Sequence, residues 1–163
     1  MRARPADGFT AIVALPTCRL GMRESIDGTM AREIVFLPPE HPLVMTESAL
    51  AKCFAQEIQH WLKNARHTPT IPLEIHGTQF QRRVWQLIDA IPAGQTRRYG
   101  ELAQTLNSAA RAVGQACGSN PFPILTPCHR VVGQRDVGGF AHSREDWLLS
   151  TKHWLLTREA TLP

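Results

Sequence analysis

Between residues 120 and 132 the chain reads Asn-Pro-Phe-Pro-Ile-Leu-Thr-Pro-Cys-His-Arg-Val-Val, with prolines at 121, 123 and 127. Each proline fixes its own φ, withholds a backbone donor and biases the preceding residue away from helix. Neither a helix nor a central strand can run through such a stretch. It must be a rigid loop, with regular elements on either side. The loop delivers Cys128, His129 and Arg130. A nearby base or cation is what turns a thiol into a thiolate nucleophile. Adjacent Cys and His side chains diverge, so a bridging water is the expected link between them. A carboxylate is then needed to orient the imidazole. The dipeptide alone fits an inert thiol beside a surface histidine equally well.

The remainder of the chain divides at its prolines. Residues 8–37 carry short β-branched runs, Phe9–Val13 and Glu33–Phe36, separated by Gly21, Gly28 and polar residues, and read as strands of a small sheet. After Pro38–Pro42, the stripe Leu50, Phe54, Ile58, Trp61 and Leu62 predicts an amphipathic helix over 47–64. Pro69 and Pro72 mark a linker, so residues 1–75 are expected to form an N-terminal α/β domain and 76–163 a mainly helical one. In the second half, Thr78 with Gln81 forms a capping box before Phe80, Val84, Leu87 and Ile88. A second helix carries Tyr99, Leu102, Ala103 and Leu106; Asn107-Ser108 breaks it, and Ser108 is expected to cap a third helix from Ala109 to Cys117. Two short helices so joined are a helix-turn-helix candidate. Ser143 with Asp146 is expected to cap a last helix ending near Arg158.

Charge and cysteine content narrow the function. The chain of 163 residues has 18 Lys and Arg against 14 Asp and Glu, and the whole excess lies in residues 76–163. A basic half of this kind favours a polyanionic partner, although a solvated basic surface gives the same count. Cys18, Cys53, Cys117 and Cys128 include no C-x-x-C pair, and no His stands at zinc-finger spacing, so neither a zinc finger nor any other metal centre is expected from them. Apolar runs are too short to span a bilayer and no hydrophobic leader opens the chain, which makes a cytoplasmic protein with reduced thiols the expectation.

The third helix, Ala109-Ala-Arg-Ala-Val-Gly-Gln-Ala-Cys-Gly118, is nearly bare of side chains apart from Arg111. Gly114 inside it costs about 1 kcal/mol relative to Ala. Close packing against another helix would explain it. So would entry into a DNA minor groove, about 6 Å wide.

Several motifs then occur in order: Gly77-Thr-Gln-Phe-Gln, Val84-Trp85, Ile91-Pro-Ala-Gly-Gln-Thr96, Tyr99-Gly-Glu-Leu-Ala103, Arg111-Ala-Val-Gly114, Gly118-Ser-Asn-Pro121 and Pro127-Cys-His-Arg-Val131. Residues 77–140 strongly resemble the O6-alkylguanine-DNA alkyltransferase family, with a weaker tail to Glu159. The resemblance implies an α/β (α+β) chain: a ribonuclease-H-like N-terminal sheet and helix, and a helical C-terminal domain with a helix-turn-helix. It implies a self-consuming, single-turnover repair protein that moves an alkyl group from guanine O6, with thymine O4 left open, onto Cys128. Such transfer needs no cofactor. In that scheme His129 takes the thiol proton through water, Glu159 orients His129, Asn120 braces the turn and Tyr99 donates to guanine N3. Tyr99, Val131, Pro123, Phe140 and Ala141 would surround the flipped base. Ala109, Ala110, Arg111, Ala112 and Gly114 would enter the minor groove of double-stranded DNA, Arg111 replacing the flipped nucleotide, while Thr96, Arg97 and Arg98 meet phosphates. The protein would act as a monomer, alone or cooperatively along DNA.

The chain departs from the family pattern at Gly139–Asp146, which is more charged and poorer in glycine, and at Phe140 and Ala141, which lack the usual hydroxyls. Arg97 and Arg98 stand where a small polar residue is common, and the link at Leu106-Asn-Ser108 is short. A damage-flagging relative would lack the reactive Cys. A thiol-sensing regulator would read the major groove, to which a helix of small residues is poorly suited. A cysteine hydrolase would need an oxyanion hole.

Overall fold

A computed structural model describes residues 7–140 and 145–161. They form two compact units that divide between Ile75 and His76.

The first unit is an antiparallel sheet with one helix. Strands β1 (Ala11–Ala14), β2 (Arg19–Glu24), β3 (Ala31–Leu37) and β4 (Val44–Met45) lie in the order β3-β2-β1-β4. Ile12 stands opposite Gly21, and Leu20 opposite Phe36. Gly21, taken from sequence as a separator, lies inside β2, a strand the β-branched runs did not reveal. A Cβ there would fall 2.8 Å from the Phe9 ring, so the strand needs a residue without a side chain where that ring covers it. Helix α1 (Ala49–Lys63) forms where the apolar stripe predicts it. Ser48 caps it by accepting from the Ala51 amide, and the Ser48 hydroxyl also donates to Glu24. Leu50, Phe54, Ile58 and Trp61 make its buried face, and the helix lies against β1 and β2.

The second unit is built on helices. Helix α2 (Gln79–Asp89) starts at the Thr78–Gln81 capping box, with both reciprocal bonds present. Helix α3 (Tyr99–Thr105) ends in a left-handed turn at Asn107, φ 52°. There the Asn107 amide donates to Gln104 O and the Ser108 amide to Ala103 O, the paired bonds of a Schellman motif. Helix α4 (Ala110–Gly118) follows; its N-cap is Ala109, with no side-chain cap bond, and its C-cap is Ser119. The expected Ser108 cap is therefore not made: Ser108 belongs to the end of α3. Gly118 is the last residue of the helix.

Val84, Ile88, Leu102, Ala103, Leu106, Val113 and Ala116 bury together between α2, α3 and α4. Each aliphatic side chain so buried contributes about 1.5–3 kcal/mol. Trp85 Nε1 donates to Ala116 O at 2.9 Å and pins α4 to α2. A 3-10 turn over Cys128–Arg130 leads into β6 (Val131–Val132), which pairs in parallel with β5 (Arg97–Arg98). That pairing sets the start of α3, and so Tyr99, beside the Cys128 segment. Helix α5 (Asp146–Ala160) lies against the 3-10 turn. Its N-cap is Glu145; Ser143 lies outside the described residues. Among the described residues no helix is long and apolar enough to cross a membrane.

Candidate active site

The proline-rich loop is held from one side chain. Asn120 Oδ1 accepts from the Phe122 amide at 2.9 Å, and its Nδ2 donates to Thr126 O at 2.8 Å and to Cys128 Sγ at 3.1 Å. Ile124, between them, has φ 74°. A β-branched residue there costs about 1–3 kcal/mol, and such strain persists only where its surroundings over-determine it. The Asn120 bonds on both sides of Ile124 supply that constraint, and one of them ends on the sulfur.

Cys128 and His129 are both buried. Burial, then the neighbouring Cys117 thiol, push the Cys128 thiol well above its ordinary value, while the Asn120 amide opposes them. At rest the sulfur therefore carries its proton. Burial also lowers His129, against the pull of Glu159, so the ring is a neutral base. Its Nε2 lies 2.7 Å from Glu159 Oε1. Burial alone would raise Glu159, but hydrogen bonds from His129 and Arg130 outweigh it and hold the carboxyl at about 2. An ionised carboxylate only accepts, so Nε2 carries the ring proton and Nδ1 keeps the lone pair.

Two residues to which sequence reasoning gave no role complete the cluster. Arg130 donates to Glu159 through Nε at 3.0 Å and Nη2 at 2.8 Å, and through Nη1 to Ile91 O at 2.7 Å. The fork fixes the carboxylate that fixes the imidazole. Lys152 is fully buried on α5; its Nζ donates to Val131 O at 2.8 Å, Gly139 O at 3.0 Å and Tyr99 Oη at 3.4 Å. Burial brings Lys152 down to about 8. While it is an ammonium it can only donate, so in this bond the Tyr99 hydroxyl is the acceptor. The available signal was the buried stripe Leu148, Thr151, Lys152, Leu155 and Glu159, where a Lys and a Glu occupy core-facing positions. Gly138, φ 74°, closes over Tyr99: a Cβ there would lie 3.0 Å from Cε2.

Asn120 is bonded to Cys128 and Glu159 to His129 and Arg130, two groups joined by the chain from Cys128 to Arg130, while Tyr99 and Val131 both accept from Lys152. Pro123 and Phe140 are buried, with the Phe140 ring centred 5.9 Å from Lys152 Nζ. Ala141 lies outside the described residues. Thr96, Arg97, Arg98, Ala109, Ala110 and Arg111 are exposed, and Ala112 and Gly114 are half-buried. Arg97 donates to Thr96 O at 2.9 Å, and the Arg98 amide donates to Glu101 at the start of α3. A Cβ on Gly114 would meet only Tyr99 Cδ1, at 4.0 Å. Among the described residues no neighbour demands a glycine there, so close packing against another described helix does not explain it.

The second unit thus sets a buried thiol and an imidazole–carboxylate pair in one chain segment with two short helices, the second of them nearly bare of large side chains. Residues 79–161 match the family described as 6-O-methylguanine DNA methyltransferase, DNA binding domain, and the chain belongs to that family. It is 39% identical over 93 residues to a methylated-DNA–protein-cysteine methyltransferase of Archaeoglobus fulgidus, a match covering 57% of this chain and 63% of that relative. The chain therefore spans less than two thirds of that relative's length. The fold resembles an O6-methylguanine methyltransferase of Mycobacterium tuberculosis, with TM-score 0.75, 28% identity and 93% of each chain covered. A structure of the M. tuberculosis OGT in complex with DNA matches with TM-score 0.70 and 29% identity, over 92% of this chain and 91% of that one.

Proposed function

We propose that this chain repairs alkylated DNA directly, by moving the alkyl group from O6 of guanine to Cys128. The observation that carries the reading is the neutral His129, its Nε2 on an ionised Glu159 that Arg130 clamps, next to a buried Cys128 that keeps its proton until substrate arrives. His129 takes that proton at Nδ1 through a water. The sulfur attacks the alkyl carbon, the carbon–oxygen bond breaks, and its electron pair goes to the guanine. Tyr99 donates to guanine N3 as that charge develops, which is stabilisation aimed at the transition state. The product is a thioether with no facile leaving path, so each chain turns over once and the guanine is restored without a cofactor. Asn120 strengthens its hold on the sulfur as the thiol ionises, because its Nδ2 donor is worth more to a thiolate than to a thiol.

The base reaches the thiol by leaving the duplex. Helix α4 offers the minor groove a surface open at Gly114, and its N-terminal amides, uncapped by Ala109, suit a phosphate. Arg111, exposed in the first turn, fills the gap in the stack, and Thr96, Arg97 and Arg98 meet the backbone. Val131 O, although it accepts from Lys152, has a second lone pair for the guanine amino group. Pro123 and Phe140 wall the base, and Phe140 contributes no hydroxyl to O6. Residues 1–75 are read as an N-terminal α/β domain and 76–163 as the transferase domain, a reading supported by the division between Ile75 and His76. The protein works as a monomer in a compartment that keeps thiols reduced, the cytoplasm.

The test is a duplex whose single O6-methylguanine blocks a restriction site. Equimolar protein restores cutting; Cys128→Ala binds the duplex and leaves it uncut. Restored cutting by Cys128→Ala would reject the transfer.

A further inference from the structure

Away from the thiol, the first unit brings together three side chains that the repair reading does not use. Glu57 and His60 are three apart on α1 and so share a face. The chain then turns back at the helix end: Asn64 Oδ1 accepts from the Arg66 amide, and the His67 amide donates to Asn64 O at 2.9 Å. The turn lays the His67 ring on the His60 ring, with centroids 3.8 Å apart and planes 21° from parallel. His67 Nε2 lies 2.9 Å from Glu57 Oε2, and the Thr70 amide donates to the same oxygen at 2.7 Å. The Thr70 amide, then His67, hold the Glu57 carboxyl below its ordinary range, so it is an anion. One donor atom from each of Glu57, His60 and His67 lies within 4.8 Å of the other two.

The geometry points to a binding site for one divalent transition-metal ion of the zinc class, held by Glu57, His60 and His67. Two imidazoles and a carboxylate are a donor set for Zn²⁺, Ni²⁺ or Cu²⁺ rather than for Ca²⁺ or Mg²⁺. Around zinc, with bonds of about 2.0–2.2 Å, ligand atoms stand about 3.3 Å apart in a tetrahedron. The His67–Glu57 pair is already near that separation, and the ion takes the place of the proton between them. His60, exposed on the outer side of the helix, closes in by a side-chain rotation and leaves the fourth position to water. The Thr70 amide fixes the carboxylate from behind, the arrangement that orients a metal-binding carboxylate. The cysteine spacing that argued against a zinc finger carries no information about this site, because it contains no cysteine. The ion would tie the end of α1 to the segment that follows it, stabilising the first unit without taking part in transfer.

Zn²⁺ titrated calorimetrically into metal-free full-length protein tests this, together with X-ray absorption of the zinc-loaded protein. The account expects one ion per chain, a nitrogen and oxygen shell at about 2.0–2.1 Å and no sulfur shell. It expects at least tenfold weaker binding in His60→Ala, which removes an exposed side chain from a helix and leaves the fold intact by circular dichroism. Glu57→Gln, whose amide oxygen still accepts from Thr70, should weaken binding similarly. A sulfur shell at about 2.3 Å would place the ion on the thiols. That result, an unchanged affinity in His60→Ala, or no binding by the wild type would overturn the site.

Discussion

Replacing Arg130 by Met asks what the guanidinium does for Glu159. The substitution keeps most of the side-chain volume and removes two bonds to the carboxylate and one to Ile91 O. Glu159 is 3% exposed, so it is left as a buried anion whose remaining partner in this cluster is His129. Breaking a buried pair from one side costs about 3–5 kcal/mol. The pH dependence gives a second, independent magnitude. The folded Glu159 value is about 2, against an ordinary 4.5. The folded value is the lower one, so the contribution is complete above pH 4.5 and is lost as pH falls through 2. Its full size is about 3 kcal/mol, shared between His129 and Arg130, and roughly half of it is lost by pH 3. Urea unfolding of wild type and Arg130→Met at pH 7 should therefore differ by about 3–5 kcal/mol, a midpoint shift of about 2 M at ordinary slopes. At pH 3 the gap should narrow, because part of the contribution of the ionised Glu159 is lost there. A gap under about 1 kcal/mol at pH 7, or one that stays constant with pH, would refute Arg130 as the clamp.

Other perturbations separate the parts of the account. Gly114→Leu should leave unfolding free energy within about 1 kcal/mol of wild type, because the Cβ makes only an ordinary contact with Tyr99 Cδ1 at 4.0 Å, yet weaken duplex binding at least tenfold by fluorescence anisotropy; unchanged binding would remove α4 from the interface. Asn120→Ala loses the bonds to Thr126 O, Cys128 Sγ and the Phe122 amide, and should cost about 1–3 kcal/mol in thermal or urea unfolding. It should also slow transfer at least tenfold in a single-turnover assay. In wild type, the transfer rate should fall above pH 8 as Lys152 loses the proton that directs Tyr99. Lys152→Met should be slower at pH 7 and lose that limb of the profile; an identical limb in the variant would assign it elsewhere.

The parts of this fold that were legible in sequence are those decided locally. The stripe on α1 and the Thr78–Gln81 box specify their helices with residues three or four apart. The break at Asn107-Ser108 was visible too, although its chemistry was misread: Ser108 uses its backbone amide to end α3 rather than its hydroxyl to start α4. Strand β2 escaped notice because its glycine is required by a ring brought over it by folding. At the site, the proline spacing exposed Cys128 and His129, while the role of Asn120, eight residues before the thiol, came through family resemblance. Glu159 came only through family resemblance, 30 residues from its partner. Arg130 and Lys152 went unread because Ile91 O, Val131 O and Gly139 O, to which they donate, are backbone carbonyls that any sequence would supply.

Intact-mass and peptide mass spectrometry of the protein after reaction with O6-methylguanine duplex tests the central claim most directly. The account predicts one added CH₂ per chain, located on Cys128, reaching one equivalent and never exceeding it, with none on Cys117. An unmodified Cys128 in protein that holds the duplex, or an adduct on another residue, would contradict it.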